Sequence, residues 1–178
     1  MAVRQSSRAP LALGLAAALP LLLCLAGPAR ASAQLRLLRT DRTLPASGDP
    51  VWSLQLEIPG QPPQAFAALS GRADRQAGDR NRLGSGAPLP AGHYRLSGVV
   101  SLEEATDLPS ELGRLVWIGL EPTFPTERRA LGIHHDPSAG MGPESGTEGC
   151  IGVIKAQDLL ALAELVQRHG VTELEVMP

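Results

Sequence analysis

Alternation of apolar and polar side chains predicts that most of this chain is β-structure. From Val51 to Ile58 every second residue is large and apolar, which is the period of a strand with one buried face. Short apolar or alternating segments at 65–70, 93–102, 115–120, 130–134, 150–154 and 171–177 predict further strands, the one at 150–154 as a strand or a turn. Turns rich in Gly and Pro separate them. Many short strands without a repeat indicate a mostly-β domain.

One segment has the period of a helix, at 157–169, and Gly170 follows it as a plausible end residue. Its apolar residues fall on one helical face: Leu159, Leu162, Ala163 and Val166. The segment 34–50 is polar with scattered leucines, and it predicts a loose lead-in with a short strand. The segments 71–86 and 103–114 are polar and predict loops.

The first 33 residues have the layout of a secretory signal peptide. Arg4 and Arg8 precede an apolar run at 9–27 that contains no acidic residue, and the small residues of 31–33 fit a cleavage site before Gln34. The alternative is a retained membrane anchor, although the run is near the lower length limit and Pro20 interrupts it. We therefore expect a periplasmic protein in three parts: a signal peptide at 1–33, a lead-in at 34–50 and one domain at 51–178.

Charge argues against a nucleic-acid partner. The chain has 16 basic and 18 acidic side chains, and loss of Arg4, Arg8 and Arg30 with the signal peptide leaves a net charge of −5. Phosphate binding needs clustered positive charge, and the aromatic residues are too few for a base-stacking surface.

The two cysteines differ in their predicted fate. Cys24 leaves with the signal peptide, so Cys150 is the remaining thiol of an exported domain and has no partner for an internal disulfide. Such a residue acts as a nucleophile, forms an intermolecular bridge, or is an inert buried thiol.

The surroundings of Cys150 suit a nucleophile. Gly149 permits close approach of a substrate, and the amides of Gly149 and Cys150 are natural donors to an oxyanion. His134 and His135 end a predicted strand, and a loop of about a dozen residues can bring an imidazole back to the thiol. Successive strand side chains point to opposite faces, so we expect only one histidine to reach it.

This stretch resembles the active-site motif of L,D-transpeptidases, the YkuD-like catalytic domain. That motif is an Ile-His strand end, a loop, and Ser/Thr-x-Gly-Cys before an apolar residue, here Ile133, His134, Thr147, Gly149, Cys150 and Ile151. The segment 89–94 resembles the family's Thr-Pro-x-Gly-x-aromatic turn. Asp158 with its helix, Gly170 and the last strand resemble the family's ending. The resemblance spans roughly 51–177.

The resemblance implies a β-sandwich-like catalytic domain with one helix near its C-terminus, a monomer without metal or cofactor. It implies an acyltransferase that acts on peptidoglycan stem peptides, in cell wall biogenesis. Cys150 would attack the carbonyl of the third stem residue to form a thioester, with His134 as base. Thr147 would organise the loop, and an amine or water would release the acyl group.

Three positions depart from the family pattern. His135 stands where glycine is usual, Glu148 where histidine is frequent, and Gly152 where many members have a carboxylate-binding arginine. We expect three residues to bind the substrate: His135, which assists in orientation, and Arg128 and Arg129, which replace the missing arginine as anchors.

Three other functions use the same residues. A zinc site could use His134, His135, Asp136 and Cys150, but adjacent strand histidines diverge and the usual ligand spacing is absent. A non-catalytic peptidoglycan-binding protein would keep the fold without turnover. An L,D-carboxypeptidase or a wall-damaging hydrolase would share the Cys–His pair and differ only in the acceptor.

Overall fold

The computed structural model describes Met1 and residues 32–103, 112–142 and 145–178. Most of the predicted signal peptide and of the predicted loop 103–114 lies outside these ranges. The described residues from 32 onward form one compact unit. Its elements are β1 (Gln34–Thr43), β2 (Pro50–Glu57), β3 (Gln64–Ser70), a 3₁₀ turn (Ala73–Arg75), β4 (Gly92–Ser101), β5 (Val116–Pro122), β6 (Leu131–His135), β7 (Ile151–Val153), α1 (Ala156–His169) and β8 (Glu173–Val176).

The strands form a closed barrel in the order β1-β2-β3-β7-β6-β5-β4-β8. The pairs β1/β8 and β6/β7 are parallel, and the other pairs are antiparallel. The mostly-β prediction is confirmed, and the described strands form a closed barrel rather than clearly the β-sandwich-like fold that the resemblance implied. The reason is β8, which pairs with β1 on one side and β4 on the other and so removes both open edges.

The first strand is longer than the sequence predicts. The segment expected to be a loose lead-in contains β1, a ten-residue strand whose Leu35 and Leu37 are fully buried. Charged residues at several of the other positions mask its apolar face in the sequence. The lead-in is therefore part of the barrel wall.

The core lies inside the barrel and under α1. The helix prediction is confirmed, because the predicted apolar face is the buried one and the helix ends at Gly170, which adopts a left-handed φ of 60°. The helix packs against β5, β6 and β7. Among the described residues, no helix is long and apolar enough to span a membrane.

The parallel pair β6/β7 determines where the site lies. Ile133 is in register with Ile151, and both are buried in the core. Because side chains alternate along a strand, His134 projects from the face opposite Ile133, and Cys150 directly precedes β7.

Candidate active site

The site begins with the register between β6 and β7. His134 is opposite Gly152, so Cys150, two residues earlier, is level with Gly132. On one face of a sheet, diagonal neighbours of this kind have Cα atoms roughly 7–8 Å apart, within reach of a long side chain. Three of the four positions carry glycine or cysteine, and the space beside Gly132 and Gly152 is filled by the side chains of Trp117, Asp136 and Thr147.

The His134 imidazole is held from two directions. Its Nδ1 is 2.8 Å from the carbonyl oxygen of His135, and its ring stacks on Trp117 with 5.9 Å between ring centroids. A carbonyl oxygen can only accept, so Nδ1 carries the proton and Nε2 is the basic nitrogen. Burial lowers the pKa of His134, although the His135 carbonyl and the Asp136 carboxylate partly oppose this effect.

The second histidine lies on the other side of the strand. His135 is half-buried, and its ring lies against Gly113, where an added side chain would come within 3.4 Å of Nδ1. Its side chain thus points away from that of His134. Its backbone carbonyl, which orients His134, is the part of His135 that belongs to the site.

The Cys150 thiol keeps partial contact with solvent. It donates to the carbonyl oxygen of Ala130 at 3.7 Å, and Ala130 has a φ of 50°, which is rare for a residue with a side chain. Burial raises the pKa of the Cys150 thiol, and the Gly132 backbone and the Arg128 charge partly offset this. The resting sulfur is therefore a neutral thiol bonded to Ala130.

Among the described contacts no hydrogen bond joins the thiol of Cys150 to the imidazole of His134. A base need not touch its nucleophile before substrate binds, because such contacts often tighten only in the substrate complex. The raised pKa of Cys150 and the lowered pKa of His134 together keep both groups neutral at neutral pH.

The backbone at Cys150 is fixed by two hydroxyl groups. Thr147 Oγ1 donates to the Cys150 carbonyl at 2.8 Å and accepts from the amides of Gly71 and Gly149 at 3.1 and 3.2 Å. Ser70 Oγ donates to the same carbonyl at 3.0 Å. Thr147 is thus bonded to the loop in three directions, which suits an organising role better than a reacting one.

The Gly149 amide, expected as an oxyanion donor, is bonded within the loop by Thr147. This leaves the Cys150 amide as the better candidate. Glycine is required at 149 for two reasons: its φ is 111°, and a Cβ there would lie 1.5 Å from Nη2 of Arg128.

The two candidate anchor arginines differ in exposure. Arg128 is 4 % exposed, and its guanidinium points into the loops beside Gly149. Arg129 is exposed and donates to the carbonyls of Thr126 and Arg128 at 3.1 and 3.0 Å. Accessibility therefore favours Arg129 for a substrate carboxylate, and that role stays a prediction for both.

Two departures from the family pattern have a structural explanation. A Cβ at Gly152 would come within 2.8 Å of Asp136 and of Thr147, so this backbone has no room for an arginine there. Glu148 is exposed and forms an ion pair with Arg72 at 3.3 Å, on the solvent side of the loop.

Sequence reasoning missed three contributors to the site. Asp136 is buried, and its carboxylate accepts from the amides of Ser138 and Gly146 at 2.9 and 3.1 Å, which organises the loop between the histidines and Thr147. The Asp-Pro-Ser sequence is a turn signal that predicts the first of these bonds. Ser70 and Trp117 approach through strand pairing, for which the local sequence carries no signal.

Side chains of the kinds that bind metal ions are present, but they are dispersed. Within the described ranges, no group of three or more His, Cys, Asp and Glu side chains is placed to hold a metal ion.

Comparison with known proteins yields no relative. No model of a protein family matches the chain, and it matches neither a curated protein nor a solved structure.

Proposed function

We propose that this protein is a cysteine-dependent L,D-transpeptidase that acts on peptidoglycan stem peptides. The observation that carries the proposal is the bond from His134 Nδ1 to the His135 carbonyl, on the strand that pairs with β7 directly after Cys150. It leaves Nε2 as the basic nitrogen, and the Cys150 thiol on the neighbouring segment is partly exposed. The motif residues of the family, from Ile133 to Ile151, supply the substrate class.

The chemical steps follow from the two neutral groups. The substrate carbonyl displaces the thiol from Ala130, and rotation about the Cα–Cβ bond turns the sulfur toward His134. Nε2 takes the thiol proton as the sulfur attacks, and the Cys150 amide donates to the oxyanion. The carbon–nitrogen bond then breaks, and the leaving D-alanine amine takes the proton from Nε2. A thioester remains on Cys150.

An amine of a second stem peptide completes the reaction. His134 takes its proton, the amine attacks the thioester, and the free thiol is regenerated with a new peptide bond. Water in place of the amine gives an L,D-carboxypeptidase with the same residues. No step needs a metal or an organic cofactor.

Fold and location are part of the proposal. We infer that the barrel is a form of the YkuD-like catalytic domain, supported by the adjacency of its His and Cys strands, β6 and β7. A net charge of −5 without the predicted signal peptide fits a peptide substrate better than a polyanion. The periplasm and a monomeric state complete the proposed setting.

One observation favours a second candidate. The thiol is bonded to Ala130, and its pKa is raised, which is the resting state expected of a non-catalytic protein that binds stem peptides. Such a protein would bind peptidoglycan and leave its stems unchanged.

The deciding experiment is muropeptide analysis. Purified peptidoglycan is incubated with the protein, with Cys150→Ala as control, and the muropeptides are separated and weighed. New cross-links at the third stem residue support the transpeptidase, and shortened stems without new cross-links support the carboxypeptidase. Muropeptides identical to those of the Cys150→Ala control would contradict catalysis and favour the binding protein.

A further inference from the structure

Arg128 is a buried cation in a cage of neutral oxygen atoms. Nη2 donates to the Glu148 carbonyl at 2.5 Å, and Nη1 lies 3.1 Å from Ser85 Oγ and 3.4–3.5 Å from the carbonyls of Arg80 and Ala87. These contacts tie the loop after β3 to the loop that precedes Cys150. The guanidinium is therefore fixed in place by two loops that are distant in sequence.

The charge of Arg128 has no carboxylate partner in the part of the chain that the structure describes. The ion pairs found there belong to other arginines. A buried charge is costly unless an opposite charge or good hydrogen bonds offset it, and here only neutral acceptors do so. Loop bridging alone does not require a charge, because a neutral donor could also bond to these oxygen atoms.

The Arg128 guanidinium lies beside the residue that precedes Cys150. The guanidinium occupies the space beside Gly149, and the carbonyl that it bonds belongs to the peptide just before that residue. Cys150 is the next residue along the chain. An opposite charge nearby favours the ionised form of a thiol, and Arg128 acts in this direction on Cys150, against the effect of burial.

We infer that Arg128 is a positioning residue for Cys150, which holds the Glu148 carbonyl and places an uncompensated positive charge beside the Gly149–Cys150 segment, so that the thiolate forms more readily. This inference rests on the proposed role of Cys150 as nucleophile. It gives Arg128 a different task from the substrate anchoring that the sequence suggests. The site thereby gains a fixed cation although position 152 has no room for the family's arginine.

The test is the pH dependence of Cys150 alkylation by iodoacetamide in the full chain. Arg128→Gln keeps a hydrogen-bond donor and removes the charge, whereas Arg128→Lys keeps the charge. We expect Arg128→Gln to raise the pH midpoint of alkylation and to slow it at neutral pH by at least about threefold, with an unchanged limiting rate at high pH. Arg128→Lys is expected to keep the wild-type midpoint.

The control is Arg95→Gln, which removes an exposed charge on β4, remote from Cys150 in the strand order. It should leave the midpoint unchanged. A folded Arg128→Gln variant with the wild-type midpoint would overturn the inference. If Arg128→Gln does not fold, the result for Arg128→Lys is used instead. An alkylation midpoint in Arg128→Lys above the wild-type value would contradict the role of the charge. Alkylation needs no peptidoglycan, so this result is independent of the proposed reaction.

Discussion

Trp117 stacks on the imidazole of His134, with ring planes inclined by 14° and centroids 5.9 Å apart. The two residues lie on neighbouring antiparallel strands, whose register pairs Ile118 with Ile133. The indole also fills the space beside Gly132, where a Cβ would come within 2.3 Å of it. Trp117 therefore covers one face of the imidazole, while the hydrogen bond to the His135 carbonyl holds its Nδ1 edge.

Truncation of Trp117 should impair the reaction more than the fold. Without the aromatic face the imidazole of His134 can move more freely. Because even a small misplacement of a catalytic group slows the reaction, we expect Trp117→Leu to lower kcat/KM about tenfold or more. Trp117→Phe retains a ring to stack and should stay within about threefold of wild type. Peptidoglycan turnover by both variants, at equal folded fractions, checks this. Equal activity of the Leu and Phe variants would show that stacking does not matter.

Gly149→Ala should destabilise the protein strongly. Its Cβ would displace the Arg128 guanidinium and sit at a backbone φ of 111°. Strain and overpacking together predict a loss of about 3 kcal/mol or more in the free energy of unfolding. Gly48→Ala is the matched control, because Gly48 also has a positive φ but open space around its Cβ position, and it should lose only about 1–2 kcal/mol. Urea unfolding measures both, and similar losses would contradict the contact with Arg128.

Thr147→Val should loosen the loop that carries Cys150. The substitution removes the hydroxyl that serves two amides and one carbonyl, and unsatisfied buried groups predict a loss of about 2–4 kcal/mol. Thr147→Ser keeps the hydroxyl and should lose less than about 1.5 kcal/mol. Thermal and urea unfolding of the pair provide the comparison. If Thr147→Val were as stable as Thr147→Ser, the three hydrogen bonds of the Thr147 hydroxyl would not stabilise the protein.

Much of the barrel is predictable from the sequence, because strand and helix periods depend on local side chains. Thus β2 and α1 have the predicted buried faces. Closure is not predictable in this way, since it depends on β8 pairing with both β1 and β4 across long stretches of chain.

Within the site, too, local features are predictable from the sequence and long-range packing is not. The divergence of the His134 and His135 side chains follows from alternation along a strand. The inward orientation of Arg128 and the contact of the thiol with Ala130 depend on loop packing, whereas the bond of the Gly149 amide to Thr147, two residues away, is a local turn. No local pattern encodes that packing.

The lowered pKa of His134 predicts a stability loss in acid. Burial depresses its pKa in the folded state below the ordinary value of 6.5, which the unfolded chain regains. Between these two values the unfolded chain binds more protons, so the free energy of unfolding decreases as the pH falls through this window. His134→Gln lacks this contribution and should show a smaller decrease. Urea unfolding of both proteins from about pH 8 to about pH 5 tests this prediction. Equal slopes of the free energy of unfolding against pH would contradict a lowered pKa of His134.

The proposed reaction requires Cys150, with His134 as its base, to form an acyl-enzyme. The most direct measurement is intact-mass spectrometry of the protein after incubation with a carbapenem, whose leaving nitrogen stays tethered after ring opening and so leaves the adduct in place. We expect one covalent adduct on Cys150, absent in Cys150→Ala and formed about a hundredfold or more slowly in His134→Gln. A folded wild-type protein that forms no adduct, or forms it equally fast without His134, would contradict the proposed reaction.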